Sequence, residues 1–155
     1  MGAAFFYHLT SSSAEATLPM LISRARAAGW RVELRGTDAM RMAALDDRLW
    51  MIPDDGFLPH AMAGGAQDAE QPVLLTLGQG ADNQPDCVMC IDRAEISAEE
   101  VTARERICIV FDGHDPDALA HARSQWKALT QSGCAAQYWS EESGRWEKKA
   151  ETASA

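Results

Sequence analysis

No apolar run in this chain approaches the roughly 18 residues that a membrane span requires, so no membrane contact is expected. Basic residues are scarce. Lys and Arg number 14 against 23 Asp and Glu, a formal net charge of −9. General nucleic-acid binding depends on a basic footprint that displaces counterions, so direct nucleic-acid contact is not expected. The N-terminus lacks the basic start of a signal peptide, and Phe6 stands where a myristoylation signal wants Ser or Thr. A cytoplasmic location is expected. The cysteines are few: Cys87, Cys90, Cys108 and Cys134, each in or beside an apolar, strand-like run. Such thiols stay reduced in that compartment and pack as small hydrophobes.

What is present is an ordinary globular composition. The chain has 155 residues, 46% of them apolar, enough for one domain with its own core. Apolar and aromatic runs predict strands over 3–9, 30–34, 73–77, 87–91, 107–111 and, edge-like, 135–139. Helical spacing of Leu18, Leu21, Ile22 and Ala25 predicts a helix over 15–28, with Pro19 placing its regular start nearer Thr17. Thr37 or Asp38 caps a second helix whose inner stripe is Met42, Leu45 and Leu49. A short helix follows over 97–103. Asp115 and Pro116 open a last one reaching about residue 131, where Gly133 stops it. Alternating strands and helices predict a three-layer α/β/α sandwich around a mainly parallel sheet. Residues 1–146 are expected to form the single domain, with a polar, frayed tail over 147–155.

The chemistry such a fold invites is poorly represented. The first strand-to-helix turn, residues 9–15, carries three serines and no glycine, so neither a dinucleotide fingerprint nor a P-loop is present. The fold is therefore expected to be Rossmann-like without a nucleotide motif. Cys87 and Cys90 form a CxxC, but within a strand their side chains face opposite ways, unlike redox pairs at a helix N-terminus. Asp112 and Asp115 follow an apolar strand, where α/β enzymes place catalytic groups. A small metal-dependent phosphatase or nuclease using them is the rival functional reading. No further acidic or basic constellation completes such a site, and a turn plus a helix cap accounts for both carboxylates. His60 has Pro59 and Ala61 as neighbours, and is expected to hydrogen-bond backbone rather than act as a base. No catalytic residue, metal or cofactor is assigned.

Two features remain. Residues 49–65 join a helix to a strand, yet carry Trp50, Met51, Ile52, Phe57, Leu58 and Met62, stiffened by Pro53 and Pro59. A stiff apolar segment of this kind either plugs its own core or faces a partner. In the last helix, Leu119, Ala122, Trp126 and Leu129 form an apolar stripe, and Arg123 and Lys127 stand four apart beside it. Two cations next to a large aromatic, in an acidic chain, suit an acidic peptide ending in a carboxylate with an apolar side chain; by themselves they equally fit an ordinary solvated helix face with Trp126 in the core.

These residues resemble a known family, the chi subunits of bacterial DNA polymerase III. The likeness rests on Phe5-Phe6-Tyr7, Leu49-Trp50, Phe57-Leu58-Pro59-His60 followed by Ala63-Gly64, and Ala122-Arg123 with Trp126-Lys127 before Gly133. It covers nearly the whole chain. The resemblance implies a non-catalytic replication adaptor. One surface would bind the acidic C-terminal tail of single-stranded-DNA-binding protein, and falls on Arg123, Trp126 and Lys127. Another would bind the psi subunit that leads to the clamp loader, and falls on Phe57, Leu58 and Pro59. Where the family often has tyrosine this chain has Trp126, and Gln125 stands where a further cation occurs. The resemblance also implies that Leu49 and Trp50 anchor their segment to the core.

Overall fold

The computed structural model describes residues 2–51, 60–78 and 80–152. Its strands are β1 (Ala3–Leu9), β2 (Val32–Arg35), β3 (Ala61–Met62), β4 (Val73–Thr76), β5 (Cys87–Cys90), β6 (Arg106–Asp112), β7 (Ala135–Ser140) and β8 (Glu147–Thr152). Its α-helices are α1 (Ala14–Ala27), α2 (Ala39–Met51), α3 (Ala98–Ala103) and α4 (Pro116–Gln131), with a 3-10 turn at Asp68–Glu70. The eight strands form one sheet in the order β3-β4-β2-β5-β6-β1-β7-β8. Every pairing is parallel except β7 with β8.

Two separate cores lie on the two faces of this sheet. Leu18, Leu21 and Ile22 of α1 and Met42, Leu45 and Leu49 of α2 pack over one face, against Cys108 and Val110 of β6. Val101 of α3 and Ala122 and Leu129 of α4 pack over the other, against Phe6, Ile107 and Ile109. Helices on both faces of a parallel sheet make its central strands apolar throughout, and all four residues of β5 are buried.

Local chemistry sets most boundaries. The hydroxyls of Ser13 and Ser97 accept N–H groups of the first turns of α1 and α3, and the Asp115 carboxylate does so for α4. At the end of α4, Gly133 takes φ +85°, and the N–H of Cys134 reaches the Leu129 carbonyl at 3.0 Å. This is the left-handed helix stop that glycine permits.

Three expectations are corrected. Helix α1 begins at Ala14, not near Thr17, because the Ser13 cap holds the first turn and Pro19 is accommodated inside. Strand β7 is not an edge: it lies between β1 and β8. Residues Glu147–Thr152 are not a frayed tail but form β8, which pairs with β7 and becomes the edge. Their polar composition fits an edge strand facing water.

A charge is buried within the apolar sheet at β2. Glu33 of β2 is 2% exposed and accepts from Arg35 Nε at 2.9 Å and from the Thr76 hydroxyl at 2.7 Å. Arg35 continues to Glu100 at 2.8 Å, tying α3 to the sheet.

Candidate partner-binding site on the last helix

Helix α4 lies against β6 and β7. Ala118, Ala122 and Leu129 are buried, and Trp126 is half-buried at the margin of the apolar face. The Trp126 ring meets Phe6 edge-on at 5.3 Å and Tyr138 at 5.9 Å. The apolar stripe expected from the helical spacing is thus present, and Trp126 closes a small aromatic cluster.

Arg123 and Lys127 are exposed, one turn apart, on the water-facing side of Trp126. Neither forms an ion pair with a described carboxylate, whereas Arg35 and Arg41 do. Burial pushes the Tyr138 hydroxyl above its ordinary pKa, and the nearby Arg123 guanidinium partly offsets this. Tyr138 therefore belongs to the same surface, which the sequence reading missed. Its one signal is the β1–β7 register, Phe6 opposite Tyr138, and that is invisible before the strands are paired. On α4 itself, His121 Nε2 and Gln125 Oε1 are enclosed without a hydrogen-bond partner. Buried polar atoms are rarely left so.

The carboxyl ends of the central strands open onto a cleft of about 710 Å³, lined among others by Ser11, Ser12, Arg41, Asp92, Asp112 and Asp115. This is where doubly wound sheets hold ligands. Here the anion-binding turn after β1 already has an occupant. Glu141 Oε1 accepts the backbone N–H groups of Thr10, Ser11 and Ser12 at 2.9, 2.8 and 2.7 Å, and Oε2 accepts the Ser12 hydroxyl at 2.9 Å. Burial would raise this carboxyl's pKa, but those donors outweigh it and hold the group below the usual carboxylate range. The chain supplies its own anion to the N–H groups of this turn.

The comparisons with known proteins bear on the same region. Residues 1–137 match the family model described as DNA polymerase III chi subunit, HolC. The chain belongs to the DNA polymerase III chi subunit family. A curated relative from Pseudomonas aeruginosa, DNA polymerase III subunit chi, is 34% identical over 87 residues, 54% of this chain and 60% of that one. The chain thus spans less than two thirds of the relative it matches. The family match includes all of α4 and ends within β7.

The other sequence candidates fall elsewhere. Asp112 accepts the His114 N–H at 2.9 Å, and Asp115 accepts those of Asp117 and Ala118. Both are turn and cap groups. Among the described residues, no group of three or more His, Cys, Asp or Glu is placed to hold a metal ion. This removes the support for a metal-dependent phosphatase or nuclease on Asp112 and Asp115. Cys87 and Cys90 lie on opposite faces of β5, one in each core, and burial pushes the Cys90 thiol up to about 12. His60 is buried, with Nε2 3.1 Å from the Asp46 carbonyl. Leu49 is buried as expected, but Trp50 is 48% exposed and packs its ring 4.2 Å from that of His60. Leu49 thus enters the core, while Trp50 packs on the buried His60 from the surface. Phe57, Leu58 and Pro59 lie outside the described residues. Among the described residues no helix is long and apolar enough to cross a membrane.

Proposed function

We propose that this chain is a non-catalytic replication adaptor of the cytoplasm. It binds the acidic C-terminal tail of single-stranded-DNA-binding protein and links it to the DNA polymerase III clamp loader through a psi-like subunit. The observation that carries this reading is on α4: two exposed cations one turn apart, neither ion-paired with a described carboxylate, flank the half-buried Trp126 in a chain of net charge −9. Arg123 and Lys127 pair with the terminal carboxylate and neighbouring acidic groups, and Trp126 packs against the terminal ring. Family membership supports the assignment. The Glu141 carboxylate in the first turn supports a Rossmann-like fold without a nucleotide motif. The psi-like partner is assigned to Phe57, Leu58 and Pro59.

The test is a titration of a synthetic acidic peptide ending in an aromatic residue. A charge-assisted contact is worth roughly 1.5–3 kcal/mol, so Lys127→Glu is expected to weaken binding about tenfold or more. Equal affinity for wild type and variant would remove α4 from the function.

A further inference from the structure

On the α1 side of the sheet, α1 packs against β2 and β6, and no described helix is seated on β7 or β8. A cavity of about 450 Å³ lies in the gap. Its floor includes Cys87 and Cys108, both buried. Its walls carry five half-buried aromatic rings: Phe5, Tyr7, Trp30, Trp139 and Trp146. Tyr7 and Trp146 meet edge-on at 5.7 Å. Trp139 is held by its indole N–H, which donates to Gln137 at 3.0 Å, and Gln137 in turn donates to Glu151 of β8.

Two guanidiniums reach this aromatic cavity. Arg106 lies 3.9 Å above the Phe5 ring centroid and 5.4 Å from that of Trp30. Arg24 enters from the exposed side of α1. Neither is ion-paired with a described carboxylate, although the chain is strongly acidic. Burial raises the Tyr7 hydroxyl above its ordinary pKa, while Arg106 and Arg24 both pull against that rise. Both positive charges are therefore felt inside the cavity. Helix α4 lies on the opposite face of the sheet, and Trp139 and Trp146 lie beyond the family match, which ends at residue 137.

We propose that this cavity is a binding site for a small planar aromatic anion, one or two fused rings bearing a carboxylate or phosphate. The volume falls in the range of small-molecule pockets, roughly 300–1,000 Å³. The rings supply stacking surfaces and the two guanidiniums supply the counter-charge. The same chemistry occurs in aromatic carboxylates and in nucleoside monophosphates, and two probe pairs separate these sources.

The experiment follows the five tryptophan indole N–H signals by NMR during titration of the full chain. The probes are 1-naphthoate against neutral 1-naphthalenemethanol, and thymidine monophosphate against thymidine. Saturable shifts of Trp30, Trp139 and Trp146, with Trp126 unmoved, are expected for at least one anion. The neutral partner should bind about tenfold more weakly, and Arg24→Gln/Arg106→Gln should abolish the difference. If the double variant loses its native spectrum, Arg24→Gln alone, on the exposed side of α1, carries the comparison. Saturation by naphthoate alone assigns an aromatic carboxylate, and by the monophosphate alone a nucleotide. The proposal is overturned by no saturable shift, by equal affinity for anion and neutral partner, or by affinity indifferent to the arginines. It is equally overturned if the same three signals move on dilution without ligand, which would make a second copy of the chain the occupant.

Discussion

The Glu141 carboxylate and Ser12, 129 residues apart in sequence, are joined by two hydrogen bonds: Ser12 donates its backbone N–H at 2.7 Å and its hydroxyl at 2.9 Å. Thr10 and Ser11 donate to the same carboxylate. This contact fastens the segment after β7 onto the first turn of the fold. It also fills that turn with a carboxylate of the chain's own.

Glu141→Gln removes the charge and keeps the size. The folded pKa of Glu141 lies below the ordinary carboxylate value, so its contribution is present above the unfolded pKa, about 4.3. It is lost as pH falls through the lower, folded value. Wild type should exceed the variant at pH 7 by on the order of 2 kcal/mol, and the gap should close in acid. Urea unfolding at several pH values measures this. A pH-independent gap would show that the charge is not what the turn recognises.

Arg35→Met strands the buried Glu33 carboxylate with only the Thr76 hydroxyl. Breaking a buried pair from one side costs about 3–5 kcal/mol. Adding Glu33→Gln should recover part of the loss. Chemical denaturation of the two variants compares them, and similar stabilities would mean that the charge on Glu33 is not the source of the loss.

Trp126→Tyr retains a ring against Phe6 and Tyr138, whereas Trp126→Ala empties that position. The tyrosine variant should bind the acidic peptide within a few-fold of wild type, and the alanine variant at least about tenfold more weakly. Calorimetry with the folded variants checks the order. Raising the salt concentration should weaken the wild-type complex as well, through screening of Arg123 and Lys127.

Asp115→Ala removes the α4 cap and should cost about 1 kcal/mol, a melting shift of roughly 2–4 °C for a chain of this size. Asp112→Asn should change stability little and leave peptide binding intact. If either substitution abolished peptide binding in a folded protein, the site would extend to the strand ends.

Much of the fold is legible locally. Strand β1 was expected over 3–9 and is observed over Ala3–Leu9, because its apolar and aromatic side chains match a strand buried between neighbours. The Asp115-Pro116 start and Gly133 stop of α4 are backbone chemistry read over a few residues. The α4 candidates were legible for the same reason, since Arg123, Trp126 and Lys127 share a surface through helical spacing alone. Strand β8 was missed because its residues, Glu147–Thr152, carry no apolar alternation. The β7 ladder supplies the pairing that the side chains do not advertise.

By itself, then, the sequence determined the kinds of elements, their caps, and the charged and aromatic face of α4, because each depends on neighbours within one or two turns. Tertiary structure decided what lies opposite what. It brought β7 beside β1, and so Tyr138 to Trp126 and Trp139 to Tyr7. It carried Glu141 to the first turn and placed Arg24 and Arg106 at an aromatic cavity. These relationships join residues more than a hundred positions apart or on separate elements. Strand order and the packing of two opposed cores set them, and no local pattern encodes either.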